Sequence, residues 1–122
     1  MKIRQQQHIG RWGENYAEKY LAEKGFNVLE RNFRTAYGEI DLIVQSGDLT
    51  LFVEVKTRTN DSFGNPETGM TYKKRQHLQR AAEAYIQDHS DLHGDWRIDL
   101  LAIHGKPGLI EPEVKWFENV GE

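Results

Sequence analysis

The stretch from residue 38 to residue 58, GEIDLIVQSGDLTLFVEVKTR, decides the fold, because two strand-like runs flank a short turn. Aliphatic and β-branched residues dominate both runs, and Ser46–Asp48 between them is typical of a hairpin turn. Charge nevertheless interrupts each run, with Asp41 in the first and Glu54 and Lys56 in the second. Charged residues are seldom buried unless they are paired or bound to a metal. These three charges are therefore the first candidates for a functional site.

The turn determines which side chains oppose one another. If it has two residues, Asp41 lies directly opposite Glu54, and Glu39 lies opposite Lys56. Side chains alternate faces along a strand, so Glu54 and Lys56 project together. The alternate residues from Leu49 to Val55 then face the other side and anchor the core. We expect the Asp41 and Glu54 carboxylates to converge, and we expect Glu39 to orient Lys56.

Two facing carboxylates repel each other and destabilise a sheet unless something offsets their charge. A divalent cation would do so, because Mg²⁺ takes oxygen ligands and commonly uses one or two carboxylates plus waters. Lys56 would lie beside such an ion, where an ammonium orients water and stabilises developing negative charge. The alternative is a solvated ion pair on an exposed sheet face, since Glu-x-Lys is common on strands.

The rest of the chain predicts an α/β protein with a mixed sheet flanked by helices, in the order α-β-β-β-α-β. We expect one domain over residues 1–122, with flexible ends at 1–9 and 119–122. A long polar loop at 59–70 has no clear period, and loops of this length are often functional. The remaining predicted elements are a helix at 10–24, a strand at 26–34, a helix at 71–88, a strand at 96–104, and a short edge strand within 109–119.

The composition indicates a globular protein, with 38% hydrophobic and 29% charged residues. The chain has no cysteine, no apolar run long enough to span a membrane and no secretory signal, so we expect a cytoplasmic protein without a membrane partner. A net charge of −3 argues mildly against nucleic-acid binding by overall charge but does not exclude a local basic surface.

Several segments together resemble the restriction-endonuclease-like, or PD-(D/E)xK, nuclease superfamily, which is related to Holliday-junction resolvases. Within it, the chain is most similar to the uncharacterised YraN-like bacterial family. The resemblance implies an α/β nuclease fold, with Asp41 and Glu54 as metal ligands and Lys56 as the catalytic lysine. It also implies that Glu14 is a further acidic residue facing the site. The segments are GRWGENYAEKYLAEKGF, LERNFR, GEIDLI, FVEVKTR, KKRQHLQRAAEAYI and WRIDLLAI.

A basic run opens the second predicted helix and is a candidate for binding the phosphates of a nucleic acid. Lys74 is the first choice to approach the site, and Gln76 is the second. A solvated helix face is the alternative interpretation. The proposed nucleic-acid contacts are Arg58, Lys73, Lys74, Arg75 and Gln76. Trp12, Tyr16 and Tyr20 could stack on bases, but aromatic residues at helical spacing more often belong to the core.

The favoured function is a metal-dependent nuclease that hydrolyses DNA phosphodiesters, with Mg²⁺ as cofactor and Mn²⁺ as a substitute. A preference for branched or otherwise non-canonical DNA is part of this hypothesis. The alternatives are a catalytically weak nucleic-acid-binding module and a protein-interaction subunit with a merely solvated acidic face. The sequence leaves open whether the nucleic acid is DNA or RNA and whether the chain acts as a homodimer.

Overall fold

The computed structural model describes residues 3–59, 70–108 and 111–121. Most of the loop predicted at 59–70 lies outside these residues. Within the described ranges the chain forms two helices and five strands. They are α1 (Ile3–Glu23), β1 (Asn27–Thr35), β2 (Gly38–Ser46), β3 (Leu49–Arg58), α2 (Tyr72–Asp88), β4 (Trp96–His104) and β5 (Glu113–Phe117).

The predicted fold class and element order are confirmed, and the expected edge strand is β5. The main difference lies at the start of α1, which begins at Ile3 rather than near Gly10. The added residues include Gln5–Gln7, which favour helix by intrinsic propensity but show no amphipathic period. A pattern based on apolar spacing therefore missed them.

The strands form one mixed sheet in the order β1-β2-β3-β4-β5. The first three strands are antiparallel neighbours, and β4 pairs in antiparallel fashion with β5. β3 and β4 are parallel, so the chain must cross over between them, and α2 lies in that connection. This order puts β3, with Glu54 and Lys56, at the centre of the sheet.

A helix covers each face of the sheet, and each face has its own hydrophobic core. The face under α1 buries Leu42, Leu51, Val53, Leu101 and Ile103 with Ala17 and Leu21. The face under α2 buries Ile40, Ile43, Phe52 and Ile98 with Leu78, Ala81, Ala82 and Tyr85. The side of β3 that carries Glu54 is therefore largely covered by α2, and Glu54 itself is only 6% exposed.

A buried aspartate ties the end of the chain to the sheet. Asp99 on β4 is fully buried and accepts hydrogen bonds from Arg97 Nε at 2.9 Å and Trp116 Nε1 at 2.8 Å. The backbone N–H of Asn119 donates to Oδ1 at 2.9 Å, the oxygen that also accepts from Arg97 Nε, whereas the Trp116 indole donates to Oδ2. Three neighbours thus satisfy this carboxylate, which explains how a charge is accommodated on a core strand.

Candidate metal and nucleic-acid site

The hairpin formed by β2 and β3 has the register that the two-residue turn predicts. Ser46 pairs with Leu49, and Ile43 pairs with Phe52. Gly47 has a φ of 58°, a left-handed conformation that glycine adopts without steric cost and that tight hairpin turns require. The turn therefore fixes the pairing along the regular part of the hairpin.

The alternation of faces is interrupted at Asp41. Ile40 and Ile43 both pack in the core beneath α2, although side chains three residues apart on a regular strand point to opposite faces. On the neighbouring strand, Asn32 lies between the paired positions Arg31 and Phe33 and has a φ of 52°. Both strands are thus irregular at the same level of the sheet. The regular pairing of β2 with β3 ends just before this point, at Leu42 and Val53.

Asp41 reaches across this irregularity to β3. Its Oδ2 accepts a hydrogen bond from the backbone N–H of Val55 at 2.8 Å, and its carboxyl group is hydrogen-bonded to Glu54. Burial, followed by the hydrogen bond and negative charge of Glu54, raises the pKa of Asp41 to about 8, while the Val55 N–H acts in the opposite direction. The expected convergence of the two carboxylates is therefore present, and the raised pKa of Asp41 shows that the site disfavours ionisation of both groups together.

Lys56 lies two residues beyond Glu54 and is half-buried. Desolvation lowers the pKa of its ammonium group, and the positive charges of Lys74 and Arg58 lower it further. The carboxylates of Glu54 and Asp41 act in the opposite direction. Lys56 thus interacts electrostatically with both carboxylates, and Arg58 lies close enough to Lys56 to affect its pKa.

Lys74 is the residue of α2 that enters the site. Its Nζ forms an ion pair with Glu54 Oε2. The N-cap Thr71 fixes the first turn of the helix, because its hydroxyl accepts a hydrogen bond from the Lys74 backbone N–H at 3.1 Å. Lys74 is also the first choice from the sequence to approach the site from this helix, and the structure brings it into contact with Glu54.

Glu14 is positioned by an unusually close approach of α1 to β3. A Cβ atom at the buried Gly13 would lie 1.9 Å from Thr57 Oγ1, so a side chain at this position would displace Thr57 or the helix. Glu14 Oε1 lies 3.7 Å from Arg31 Nη2. Burial raises the pKa of Glu14, Arg31 lowers it, and Glu54 is among the acidic groups that raise it.

The predicted pairing of Glu39 with Lys56 is wrong. Glu39 lies opposite Arg34 in the β1–β2 ladder, and its Oε2 is 3.4 Å from Arg34 Nε. In the amide orientation that satisfies all three groups, Asn32 donates to Glu39 at 3.0 Å and to Glu14 at 3.1 Å. The physical reason is that the paired part of β2 and β3 ends at Leu42 and Val53, so the register set by the turn does not extend to Glu39.

The basic run of α2 divides between two surfaces. Lys73 and Lys74 line a cleft beside β2, whereas Arg75 and Gln76 line a groove on another side of the helix. Gln76 Nε2 donates to the Tyr72 hydroxyl at 2.8 Å, so the structure does not bring Gln76 to the carboxylates. Successive helical residues point about 100° apart, and four consecutive positions cannot share one face.

The aromatic residues of α1 belong to the core, as their spacing indicated. Trp12, Tyr16 and Tyr20 pack against the cluster beneath α1. Among the residues that the structure describes, the exposed large aromatic side chains are instead Tyr37, which is 44% exposed in the β1–β2 turn, and Tyr72, which is 69% exposed at the start of α2. Sequence reasoning missed both, because neither belongs to a periodic pattern. The only sequence signals near them are Gly38, which follows Tyr37 in the turn, and the N-cap Thr71, which precedes Tyr72.

The donor set suits a hard cation that keeps much of its water. Asp41 and Glu54 offer carboxylate oxygens, and the Lys74 ammonium already pairs with Glu54. Among the described residues, no group of three or more His, Cys, Asp or Glu side chains could hold a metal ion. Mg²⁺ is compatible with a pair of carboxylates completed by water, whereas structural zinc sites need four protein ligands.

Comparison with known proteins places the chain in a family. Residues 13–103 match the model of the uncharacterised protein family UPF0102. The chain belongs to the UPF0102 family. A UPF0102 protein of Syntrophomonas wolfei is 42% identical over 95 residues, covering 78% of this chain and 83% of the relative. Another, from Thermodesulfovibrio yellowstonii, is 43% identical over 100 residues, covering 80% and 87%.

The expected YraN-like family membership is thus supported, while the wider nuclease superfamily stays a prediction. A solved structure of Pyrococcus furiosus SfsA in complex with Ca²⁺ is 14% identical, with a TM-score of 0.36 over 93% of this chain and 63% of that one. A likeness at this level carries no argument about the UPF0102 site. In the described part of the chain, neither helix combines the length and apolarity that crossing a bilayer requires.

Proposed function

We propose that this UPF0102 protein is a metal-dependent nuclease that hydrolyses phosphodiester bonds in DNA. The observation that carries the proposal is the contact between two carboxylates, Asp41 and Glu54, within reach of the Lys56 and Lys74 ammonium groups. Strongly perturbed acidic groups next to lysines are typical of functional sites, because unneutralised charge is costly unless a ligand uses it. An exposed ion pair would not need this arrangement.

Asp41 and Glu54 would hold the divalent cation, Mg²⁺ or Mn²⁺. When bound, such an ion supplies Lewis-acid stabilisation of a phosphoryl oxygen and lowers the pKa of a coordinated water. Glu14 lies farther out, near Arg31, and contributes negative potential to the site. The expected catalytic set is therefore Asp41, Glu54 and Lys56, with Glu14 in support.

Lys56 would position the attacking water and stabilise charge as it develops on the phosphate. The water oxygen bonds to phosphorus, one ester P–O bond breaks, and the departing oxygen takes up a proton. The lowered pKa of Lys56, caused chiefly by desolvation, brings this ammonium closer to the range in which it can also give up a proton. Its half-buried position restricts the geometries in which it can act.

Lys73 and Lys74 would hold the DNA backbone. Lys74 is paired with Glu54, so a cation bound by Glu54 would release the Lys74 ammonium to contact a phosphate. Arg58, close to Lys56, is a further candidate for a phosphate contact. Arg75 and Gln76 lie on a different surface and would contact only a substrate that extends around α2.

A panel of linear, nicked, flapped and four-way DNA substrates tests the proposal in single-turnover assays with Mg²⁺, Mn²⁺ or EDTA. We expect cleavage with either metal and none in EDTA, and the double variant Asp41→Asn/Glu54→Gln should abolish it. Glu113→Gln is the matched control, because it also neutralises a strand carboxylate, but an exposed one on β5. Cleavage in EDTA, or unchanged cleavage by the double variant, would refute the proposal.

A catalytically weak nucleic-acid-binding module is the second candidate. One observation favours it: among the described residues the acidic groups do not form a metal cluster of three or more. This candidate predicts DNA binding by the wild type without cleavage of any substrate in the panel. A protein-interaction subunit predicts neither binding nor cleavage.

A further inference from the structure

A cleft of about 350 Å³ lies between the β1–β2 turn and α2. Tyr37 and Glu39 line it on the strand side, and Lys73, Lys74 and Leu78 line it on the helix side. Lys74 also pairs with Glu54, so the cleft adjoins the candidate site through this residue. Whatever occupies the cleft would thus lie next to the carboxylate pair.

The lining of the cleft combines an apolar floor with a charged rim. Leu78 and Ala81 are buried in the core beneath α2 and present their apolar surface to the cleft. Lys73 is exposed at the rim, and Tyr37 keeps 44% of its surface accessible. A flat ring can lie against the apolar floor and the tyrosine, while a phosphate can pair with the lysine.

The dimensions and position of the cleft restrict its occupant further. Its volume is at the lower end of the range for small-ligand sites, which admits a single nucleotide but not a base-paired duplex. The Glu39 carboxylate can accept hydrogen bonds, and exocyclic amino groups of bases are donors of that kind. A nucleotide satisfies the apolar, cationic and acceptor surfaces together.

We propose that this cleft binds one unpaired nucleotide of the DNA strand that passes the candidate site, with its base against Tyr37 and its phosphate on Lys73. This inference rests on the proposed function and narrows its substrate class. A base within a duplex has both faces covered by its neighbours, so only an unpaired base can stack on a side chain. The preferred substrates are therefore flaps, gaps or branches with unpaired nucleotides, and not continuous duplexes.

The test is equilibrium binding in EDTA, so that no strand is cut. One probe is a blunt duplex, and the other is the same duplex with a three-nucleotide single-stranded flap that contains 2-aminopurine. We expect the wild type to bind the flapped duplex about tenfold more tightly and to quench its 2-aminopurine emission by stacking. Tyr37→Ala should remove both the preference and the quenching, whereas Tyr37→Trp should retain both.

Tyr72→Ala is the matched control, because Tyr72 is also an exposed tyrosine beside the basic turn but lines the groove shared with Arg75. It should keep the preference for the flap. The inference is overturned if Tyr37→Ala and Tyr72→Ala behave alike, if an abasic flap binds as tightly as the normal one, or if the wild type shows no preference. Equal affinity for free deoxyadenosine monophosphate would assign the cleft to free nucleotides and overturn it as well.

The outcome is separable from that of the nuclease assay. If the wild type cleaves DNA but shows no preference for the flap that depends on Tyr37, the inference is refuted and the nuclease proposal stands. A Tyr37-dependent preference in a protein that never cleaves would support the inference for a binding module and refute the nuclease proposal.

Discussion

The tripeptide Ile-Asp-Leu occurs twice in the sheet, at Ile40–Leu42 and at Ile98–Leu100, and the two aspartates have opposite surroundings. Asp99 is surrounded by donors: Arg97, the Trp116 indole and the Asn119 backbone N–H all hydrogen-bond to it. Asp41 accepts one backbone N–H and otherwise faces the carboxylate of Glu54. The same local sequence thus supports a satisfied structural charge in one strand and an unsatisfied one in another.

The difference shows how a buried charge can be interpreted. A carboxylate whose acceptor capacity is filled from within the protein contributes to stability and has little to offer a ligand. A carboxylate placed against a second one destabilises the free protein, and a cation bound only by the folded protein would offset this cost. The hydrogen-bond partners of each aspartate, and not the sequence of its strand, distinguish a structural carboxylate from a candidate ligand.

The largest expected effect is on the structural side of the comparison. Asp99→Asn would turn an amide N–H₂ towards donors and leave at least one of them without an acceptor. We expect it to lower the free energy of unfolding by about 3 kcal/mol, measured by urea denaturation. A loss below about 1 kcal/mol would mean that the network around Asp99 contributes little, and the contrast with Asp41 would fail.

Lys56→Met should lower single-turnover cleavage by on the order of 100-fold while leaving the fold intact, because it deletes an ammonium that acts in the transition state. DNA affinity should fall only modestly, by about one phosphate contact. Arg97→Met is the counterpart beside Asp99, and it should reduce stability without slowing cleavage by the folded protein. Equal losses of binding and cleavage in Lys56→Met would make Lys56 a binding residue.

Asp41→Asn should raise the stability of the metal-free protein by about 1 kcal/mol at neutral pH, the opposite sign to Asp99→Asn. The neutral amide avoids the cost of burying an ionisable carboxyl group next to Glu54. The pKa of Asp41 is raised in the folded state, so the folded protein binds the extra proton and wild-type stability falls as pH rises from about 4 to about 8. The benefit of the substitution should therefore grow over this range.

Urea denaturation in EDTA at pH 5 and pH 8 measures this effect. Mg²⁺ should raise the melting temperature of the wild type but not of Asp41→Asn, since a ligand bound only by the native state stabilises it by mass action. An equal Mg²⁺ shift in both proteins would place the ion elsewhere.

The smallest effect concerns single surface charges near each aspartate. Lys73→Ala should reduce the dependence of DNA affinity on salt by about 0.9 in the slope of log K against log salt, the value of one phosphate contact. Lys115→Ala, an exposed lysine on β5 next to Glu113, should leave that slope unchanged. Identical slopes for the two variants would make the α2 surface an ordinary solvated face.

The sequence predicted the hairpin well because a two-residue turn fixes strand pairing by local rules. Ser46 opposite Leu49 follows from that turn, whereas the expected convergence of Asp41 with Glu54 is reached beyond the regular part of the ladder. The same rule failed for Glu39, because it assumes a regular ladder beyond Asp41. A left-handed conformation at a non-glycine residue such as Asn32 arises from surrounding packing and has no dependable local signal.

Contacts between distant elements were predictable only in part. The approach of Lys74 was expected, but its ion pair with Glu54 depends on where the crossover places α2. The cleft beside Tyr37 depends on the same placement of α2, and no sequence pattern predicted it. Both aspartates read alike in sequence, since the donors to Asp99 come partly from Trp116 and Asn119, far along the chain.

The parallel pairing of β3 with β4 has a consequence for the order in which the molecule assembles. The β2–β3 hairpin closes through local contacts, which form in microseconds, whereas the parallel pair must wait for the chain between its strands to close a long loop. Before α2 docks, Lys74 does not yet pair with Glu54, and the carboxylates of Asp41 and Glu54 repel each other at this end of the hairpin. We expect this end of the hairpin to open more readily than the turn end in the native protein. The Val55 amide should therefore exchange its hydrogen faster than the Leu51 amide. Equal protection of the two amides would show that the hairpin opens and closes as one unit.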